Sequence, residues 1–344
     1  MAGKKVRVLI VDDSAFIRVL LTQILENHED ITVVATAEDP YDARDKIKKY
    51  KPDVITLDVE MPKMDGLTFL KNIMRLHPLP VVMVSTLTQA GADITMQALN
   101  LGAFDFVGKP STEVKEKLNE LSDELTEKVI AASRCNIKAL EKEDIEAQTV
   151  KSGKYSENYE LIAVGASTGG TEAIYSLVSR LPTDLPPIVM AQHIPDVFST
   201  SYAKRLDREC KISVMEVRGP QKLEFGHAYL APGHMHMQVK RKSDGLWAYL
   251  TDGEPVNRHK PAVDVLFDSV LDTVNDKCMA ALLTGMGQDG AKGLLRLKEA
   301  GAHTIAQDEE SSVVWGMPGA AVKLGAAKKI ISLQKLPDYM VSNL

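Results

Sequence analysis

The sequence predicts two consecutive α/β domains, each built on a mostly parallel sheet, and three observations carry that prediction. Short apolar runs rich in β-branched residues recur through residues 1–110, with amphipathic stretches between them. That is the pattern of parallel strands buried on both faces and linked by helices. The stretch KEDIEAQTVKSGKYSEN is polar and charged, and reads as a linker. Beyond it apolar runs resume at 161–164, 188–191 and 279–283. At 344 residues the chain has room for two ordinary cores. The expected division is 1–125 for the first domain, 126–156 for a helical extension and linker, and 157–344 for the second domain.

The first domain's strand candidates are Val6 to Val11, Thr32 to Thr36, Val54 to Leu57, Val81 to Val84 and Phe104 to Val107. Five β-α repeats predict one doubly wound parallel sheet. Ala15 to Glu26 is patterned as a helix, with Ser14 placed to cap it. From Thr112 to about Cys135 the pattern is again helical, with Val114, Leu118, Leu121, Leu125 and Val129 on one side. In the second domain Ile174, Leu177, Val178 and Leu181 fall at i, i+3, i+4 and i+7, a helix spacing.

Composition narrows the function classes. A net charge of -6 argues against nucleic acid as a partner. No apolar run reaches the 18 or so residues of a membrane span, so no membrane insertion is expected. The N-terminus, MAGKKVRVLIVDD, does not read as a signal peptide. Cys135, Cys210 and Cys278 are widely separated and odd in number, as expected of free thiols in a reducing cytoplasm.

In an open parallel sheet, function gathers at the C-terminal ends of strands. Asp12 and Asp13 end the first expected strand, Asp58 the third and Ser85 the fourth, and Lys109 follows the fifth. Three carboxylates on one rim repel one another unless a hard divalent cation neutralises them, and oxygen ligands suit Mg2+. Asp58 can then accept a phosphoryl group as an acyl phosphate, with Ser85 hydrogen-bonding the phosphoryl oxygens and Lys109 pairing with their charge.

The segments VLIVDDSAFIR, TLDVEMPKMDG, MVST and GKP resemble the response-regulator receiver domain. The resemblance covers residues 4 to about 125. It implies that Asp58 is the phosphorylated residue. Asp12, Asp13, Asp58 and the backbone carbonyl of Glu60 are then the magnesium ligands. Phe106, three residues before Lys109, fits the family's switch aromatic, and its other reading is simple core packing. The family's Lys-Pro peptide, often cis, corresponds to Lys109–Pro110.

The stretch LIAVGASTGG runs from strand to helix, and Gly165, Ser167 and Gly169 match G-x-S-x-G. The glycines permit a sharp turn that presents the Ser167 hydroxyl, and the helix N-terminus offers N–H groups to an oxyanion. Turns of this kind also bind phosphate. A serine nucleophile needs a base, and His193 follows the strand IVMAQ. The base needs an orienting carboxylate, and ALLTGMGQDG supplies Asp289. The chain order Ser, His, Asp differs from that of α/β-hydrolases.

GASTGG, QHIP, YLAPG, RHKPAVDVLFDS and TGMGQDG resemble motifs of chemotaxis protein-glutamate methylesterases, over residues 159 to about 330. The resemblance implies Ser167 as nucleophile, His193 as base and Asp289 as orienter, with the N–H groups of Met286 and Thr168 as oxyanion donors. It implies hydrolysis of glutamate methyl esters on chemoreceptors, and deamidation of glutamines by the same acyl chemistry. The implied partners are methyl-accepting chemoreceptors as substrate and the chemotaxis histidine kinase as phosphodonor. The esterase step needs no cofactor. In APGHMHM, His234 and His236 would share one face of a strand and could begin a metal site, but no third ligand is nearby. His259 is placed near substrate. A DNA-binding regulator would need a basic helix-turn-helix, which the second half does not show. A catalytically silent interaction protein is the other alternative, against which the complete triad argues.

Overall fold

A computed structural model describes residues 4–61, 63–86, 88–109, 115–140, 150 and 159–344. The chain divides into two compact units, 1–142 and 143–344. The expected boundary near residue 157 falls among residues outside those described, as do Pro110 and Val114.

The first unit holds strands β1 (Val6–Val11), β2 (Ile31–Ala37), β3 (Val54–Asp58), β4 (Val81–Ser85) and β5 (Asp105–Gly108). They form one parallel sheet in the order β2-β1-β3-β4-β5. Central strands β3 and β4 are buried along their whole length, which explains why they are mostly apolar, with Thr56 as an interior polar residue and Asp58 and Ser85 at their C-terminal ends. Helices α1 (Ala15–Glu26), α2 (Pro40–Tyr50), α3 (Gly66–Leu76), α4 (Gln89–Asn100), α5 (Lys115–Ser133) and the short α6 (Ile137–Leu140) complete the unit. The Ser14 hydroxyl caps α1 by accepting from the Ile17 N–H at 3.4 Å. Leu121, Leu125 and Val129 of α5 are buried, as the helical pattern requires.

The second unit is centred on seven parallel strands: β6 (Leu161–Ala166), β7 (Ile188–Gln192), β8 (Ser213–Glu216), β10 (His227–Leu230), β13 (Cys278–Leu282), β14 (His303–Gln307) and β15 (Lys329–Ile331). Their order is β15-β14-β13-β6-β7-β10-β8. A separate antiparallel sheet is made from β9 (Gln221–Lys222), β11 (His236–Lys242) and β12 (Gly245–Thr251). Helices α7 (Gly170–Val178), α8 (Asp196–Glu209), α9 (Val263–Val274), α10 (Ala291–Glu299), α11 (Met317–Lys323) and α12 (Leu336–Asn343) accompany them. On α9, Val263, Leu266, Phe267, Val270 and Val274 form one buried stripe at helical spacing, packed with residues of β6, β13 and β11. Each such side chain contributes about 2 kcal/mol of burial. Ile174, Leu177, Val178 and Leu181 are likewise buried, the last just beyond α7.

Register matters most at the centre. Ala166 at the end of β6 lies level with Gln192 at the end of β7, and Gly165 lies level with Leu282 at the end of β13. Residues that follow these three strands therefore emerge side by side.

Candidate active site

Ser167, His193 and Asp289 come from those three strand ends. The Ser167 N–H extends the β6–β13 ladder by donating to the Thr284 carbonyl at 3.0 Å, and the His193 N–H donates to the Ala166 carbonyl at 3.2 Å. The Gln192 amide ties the two ends together, donating from Nε2 to the carbonyls of Ser167 at 2.9 Å and His193 at 3.1 Å. The turn after Ser167 requires glycine: Gly169 sits at φ 73°, and a Cβ there would come within 2.7 Å of the Val313 side chain.

The three side chains form a hydrogen-bonded line. Ser167 Oγ lies 3.1 Å from Nδ1 of His193, and His193 Nε2 lies 2.8 Å from Oδ2 of Asp289. Asp289 is 1% exposed. Burial pushes its carboxyl up, but hydrogen bonding and charge from His193, and donors at Val263 and Asn257, outweigh that and hold it down at about 2. An ionised carboxylate only accepts, so Nε2 carries the proton and the Nδ1 lone pair faces the serine hydroxyl. Asp289 also accepts from the N–H groups of Val263 (2.6 Å) and Asp264 (3.2 Å).

Thr168 is buried, and the Met286 N–H donates to no backbone carbonyl among the described residues. The first N–H of α7, that of Gly170, is engaged by the Ser167 carbonyl at 2.6 Å.

His259 stacks on His193, with ring centroids 3.7 Å apart and planes at 14°. His234 and His236, which could begin a metal site only if they shared a strand face, are held by different partners. His234 precedes β11, is exposed, and pairs with Asp196 at 2.6 Å. His236 is buried, accepting from the Ala262 N–H at 3.1 Å through Nδ1 and meeting the Glu254 carbonyl at 3.0 Å through Nε2. Both of its ring nitrogens are thus committed to backbone, which leaves no lone pair for a metal.

Two residues escaped the sequence reading. Asn257 Nδ2 donates to Asp289 at 2.7 Å and to the buried Asp264 at 2.8 Å. Asp264 also accepts from the Gly293 N–H at 2.6 Å. The signal was present in NRHKPAVD, where asparagine is favoured at the positive φ of 53° that position 257 adopts.

The first unit carries its own cluster. Carboxylate oxygens of Asp12, Asp13 and Asp58 lie within 4.8 Å of one another. Lys109 Nζ is 3.1 Å from Asp12 and 2.8 Å from Asp58. Burial raises both of these carboxyls, Asp58 to about 6, with the Asp12 charge adding to the effect. Among the described residues, the Oδ2 atoms of Asp12 and Asp58 have no donor apart from the Lys109 ammonium. Three clustered carboxylates, two of them buried and sharing one ammonium, fit a hard divalent cation. The Glu60 N–H donates to Asp58 at 3.3 Å, which sets that peptide beside the cluster. Ser85 is buried, with Oγ 3.4 Å from the Gly91 carbonyl. Phe106 is buried in this structure, and the Lys128 ammonium lies 5.2 Å from its ring centroid.

Residues 162–340 match the family described as CheB methylesterase, and residues 8–120 match the response regulator receiver domain. The chain is 52% identical to the protein-glutamate methylesterase/protein-glutamine glutaminase 2 of Saccharophagus degradans, over 99% of both chains. It is 50% identical to the protein of the same name from Vibrio vulnificus, again over 99% of both. Among solved structures, the CheB methylesterase catalytic domain of Thermotoga maritima aligns with a TM-score of 0.53 at 33% identity, covering 54% of this chain and 99% of that one.

Proposed function

This chain belongs to the CheB methylesterase family, with a receiver domain ahead of its catalytic domain, and on that premise we propose that it is a phosphorylation-controlled protein-glutamate methylesterase that also deamidates glutamines. The observation that carries the reading is the line from Ser167 through His193 to Asp289, at 3.1 and 2.8 Å.

Ser167 Oγ attacks the ester carbonyl while its proton passes to Nδ1 of His193. The tetrahedral intermediate collapses, His193 returns the proton to the leaving methoxide, and methanol departs from an acyl-serine. Water, deprotonated by the same nitrogen, releases the glutamate carboxylate and restores Ser167. A glutamine substrate runs the same course with ammonia leaving. Asp289 stabilises the imidazolium formed in each half-reaction. The N–H groups of Met286 and Thr168 are the proposed oxyanion donors.

Asp58 is the proposed phosphorylation site, supported by Ser85 and Lys109. Asp12, Asp13, Asp58 and the Glu60 carbonyl would hold Mg2+. That ion, when bound, neutralises the carboxylates and the phosphoryl oxygens. The proposed partners are methyl-accepting chemoreceptors and the chemotaxis histidine kinase. The proposed location is the cytoplasm, consistent with three free thiols.

The test is methanol release from methylated receptor membranes with and without a phosphodonor. Release that rises with the phosphodonor and disappears in Ser167→Ala is expected. A folded wild-type protein that releases no methanol would overturn the reading.

A further inference from the structure

We propose that the tight turn Val256–His259 is a positioning device for the triad, in which Asn257 fixes the Asp289 carboxylate and His259 fixes the plane of the His193 ring. This rests on the esterase reading and deepens it by naming what orients the histidine and the carboxylate.

The turn is well defined. The N–H groups of Val256 and His259 donate to each other's carbonyls at 3.0 and 2.9 Å, and the two residues between them, Asn257 and Arg258, both sit at positive φ, 53° and 68°. Such a turn turns its side chains in directions that an ordinary loop does not hold. One of them is the Asn257 amide, whose nitrogen donates one hydrogen to Asp289 Oδ1 at 2.7 Å and the other to Asp264 Oδ2 at 2.8 Å. Asp264 is fixed in turn by the Gly293 N–H at the start of α10. The Asp289 carboxylate therefore cannot rotate without breaking a chain of hydrogen bonds, part-buried at Asn257 and buried at Val263, Asp264 and Gly293, and its Oδ2 stays aimed at His193.

His259 acts on the other partner. Its ring lies 3.7 Å from that of His193 at 14°, so the two are stacked face to face. During each half-reaction the His193 ring must keep one nitrogen on Ser167 and the other on Asp289 while it gains and loses a proton. Rotation about the ring's attachment bond breaks both hydrogen bonds together. A flat neighbour against its face blocks that rotation. One four-residue turn thus orients two of the three triad members.

The test uses the full-length chain and two readouts: kcat and KM for methanol release, and the rate at which a fluorophosphonate labels Ser167. Labelling reads the nucleophile without depending on the natural substrate. If the esterase reading failed, wild type would release no methanol, yet labelling would still decide this proposal. His259→Ala should lower kcat and labelling together by about 10- to 100-fold, with KM nearly unchanged, since small misplacements of a reacting group cost that much. His259→Phe keeps a flat ring and should restore both to within about 3-fold. His259→Leu fills the space without a flat face and should behave as the alanine variant does. It keeps the test decisive if His259→Ala does not fold. Asn257→Gly tolerates the positive φ while deleting the amide, and should slow labelling by about 10-fold. Unchanged labelling in Asn257→Gly, or His259→Phe and His259→Leu behaving alike, would overturn the proposal.

Discussion

The Lys109 ammonium lies 2.8 Å from the Asp58 carboxylate, at the rim of a sheet whose strands β1, β3 and β5 deliver the acids and the lysine to one place. A fixed cation beside a buried acid would pair with the charge of an incoming phosphoryl group, which suits the proposed role of Asp58. Asp58→Asn is near-isosteric and cannot form the acyl phosphate. It should incorporate no phosphate from acetyl phosphate and Mg2+, and keep basal esterase activity within about 2-fold. Phosphodonor stimulation equal to wild type would place the regulatory residue elsewhere.

Ser167→Ala should abolish methanol release while the protein remains folded. Members of a triad act as a unit, and loss of the nucleophile costs roughly 10⁶ in rate. His193→Ala should be similarly severe and Asp289→Ala milder. A folded Ser167→Ala variant keeping more than about a tenth of wild-type turnover would contradict the assignment; that threshold lies far above the expected residual rate.

The low value for the Asp289 carboxyl, about 2, links it to stability. Its folded value lies below the ordinary 3.8, so its contribution is fully present above about pH 4 and is lost as pH falls towards about 2. Asp289→Asn removes that dependence. The stability difference between wild type and this variant should shrink by about 2 kcal/mol over that window. Both tryptophans, Trp247 and Trp315, lie in the second unit, so tryptophan fluorescence in urea reads this unit within the intact chain. A difference that stays constant from pH 5 to pH 2 would show that the carboxylate is not held ionised.

Gly285 packs against Ser167. A Cβ there would come within 2.8 Å of Ser167 Cβ and 2.3 Å of Met317 Sδ. The methionine end can yield, but the serine Cβ is fixed by the β6–β13 ladder. Gly285→Ala should lower stability by about 1–3 kcal/mol and turnover by about 10²-fold. Turnover equal to wild type would show that Ser167 has room to shift without loss.

The sequence carried the strands because central parallel strands are apolar on both faces, and the site residues because they follow those strands. Strand ends were less legible. β5 runs Asp105–Gly108 rather than from Phe104, because pairing with β4 draws in Asp105 and Gly108, neither of which favours a strand alone. β13 begins at Cys278, where it pairs with Leu161, rather than at Met279. The antiparallel sheet of β9, β11 and β12 was not read as such, since β11 ends in the exposed, charged residues Lys240, Arg241 and Lys242. Asn257 and Asp264 stayed hidden for another reason. Their meaning depends on Asp289, which lies 32 and 25 residues further along the chain.

The order of the seven-stranded sheet bears on how the enzyme comes into being. β6 lies between β7 and β13, yet β7 follows it closely in the chain, whereas β13 arrives after the whole antiparallel sheet and α9 have been made. A chain growing from its N-terminus therefore has the strands of serine and histidine available first, and one flank of β6 stays without its partner until residues 278–282 are available. Only then does the carboxylate reach the histidine. A product truncated before that strand would carry Ser167 and His193 without Asp289, and would leave β6 with an open edge as a mark for chaperones or proteases.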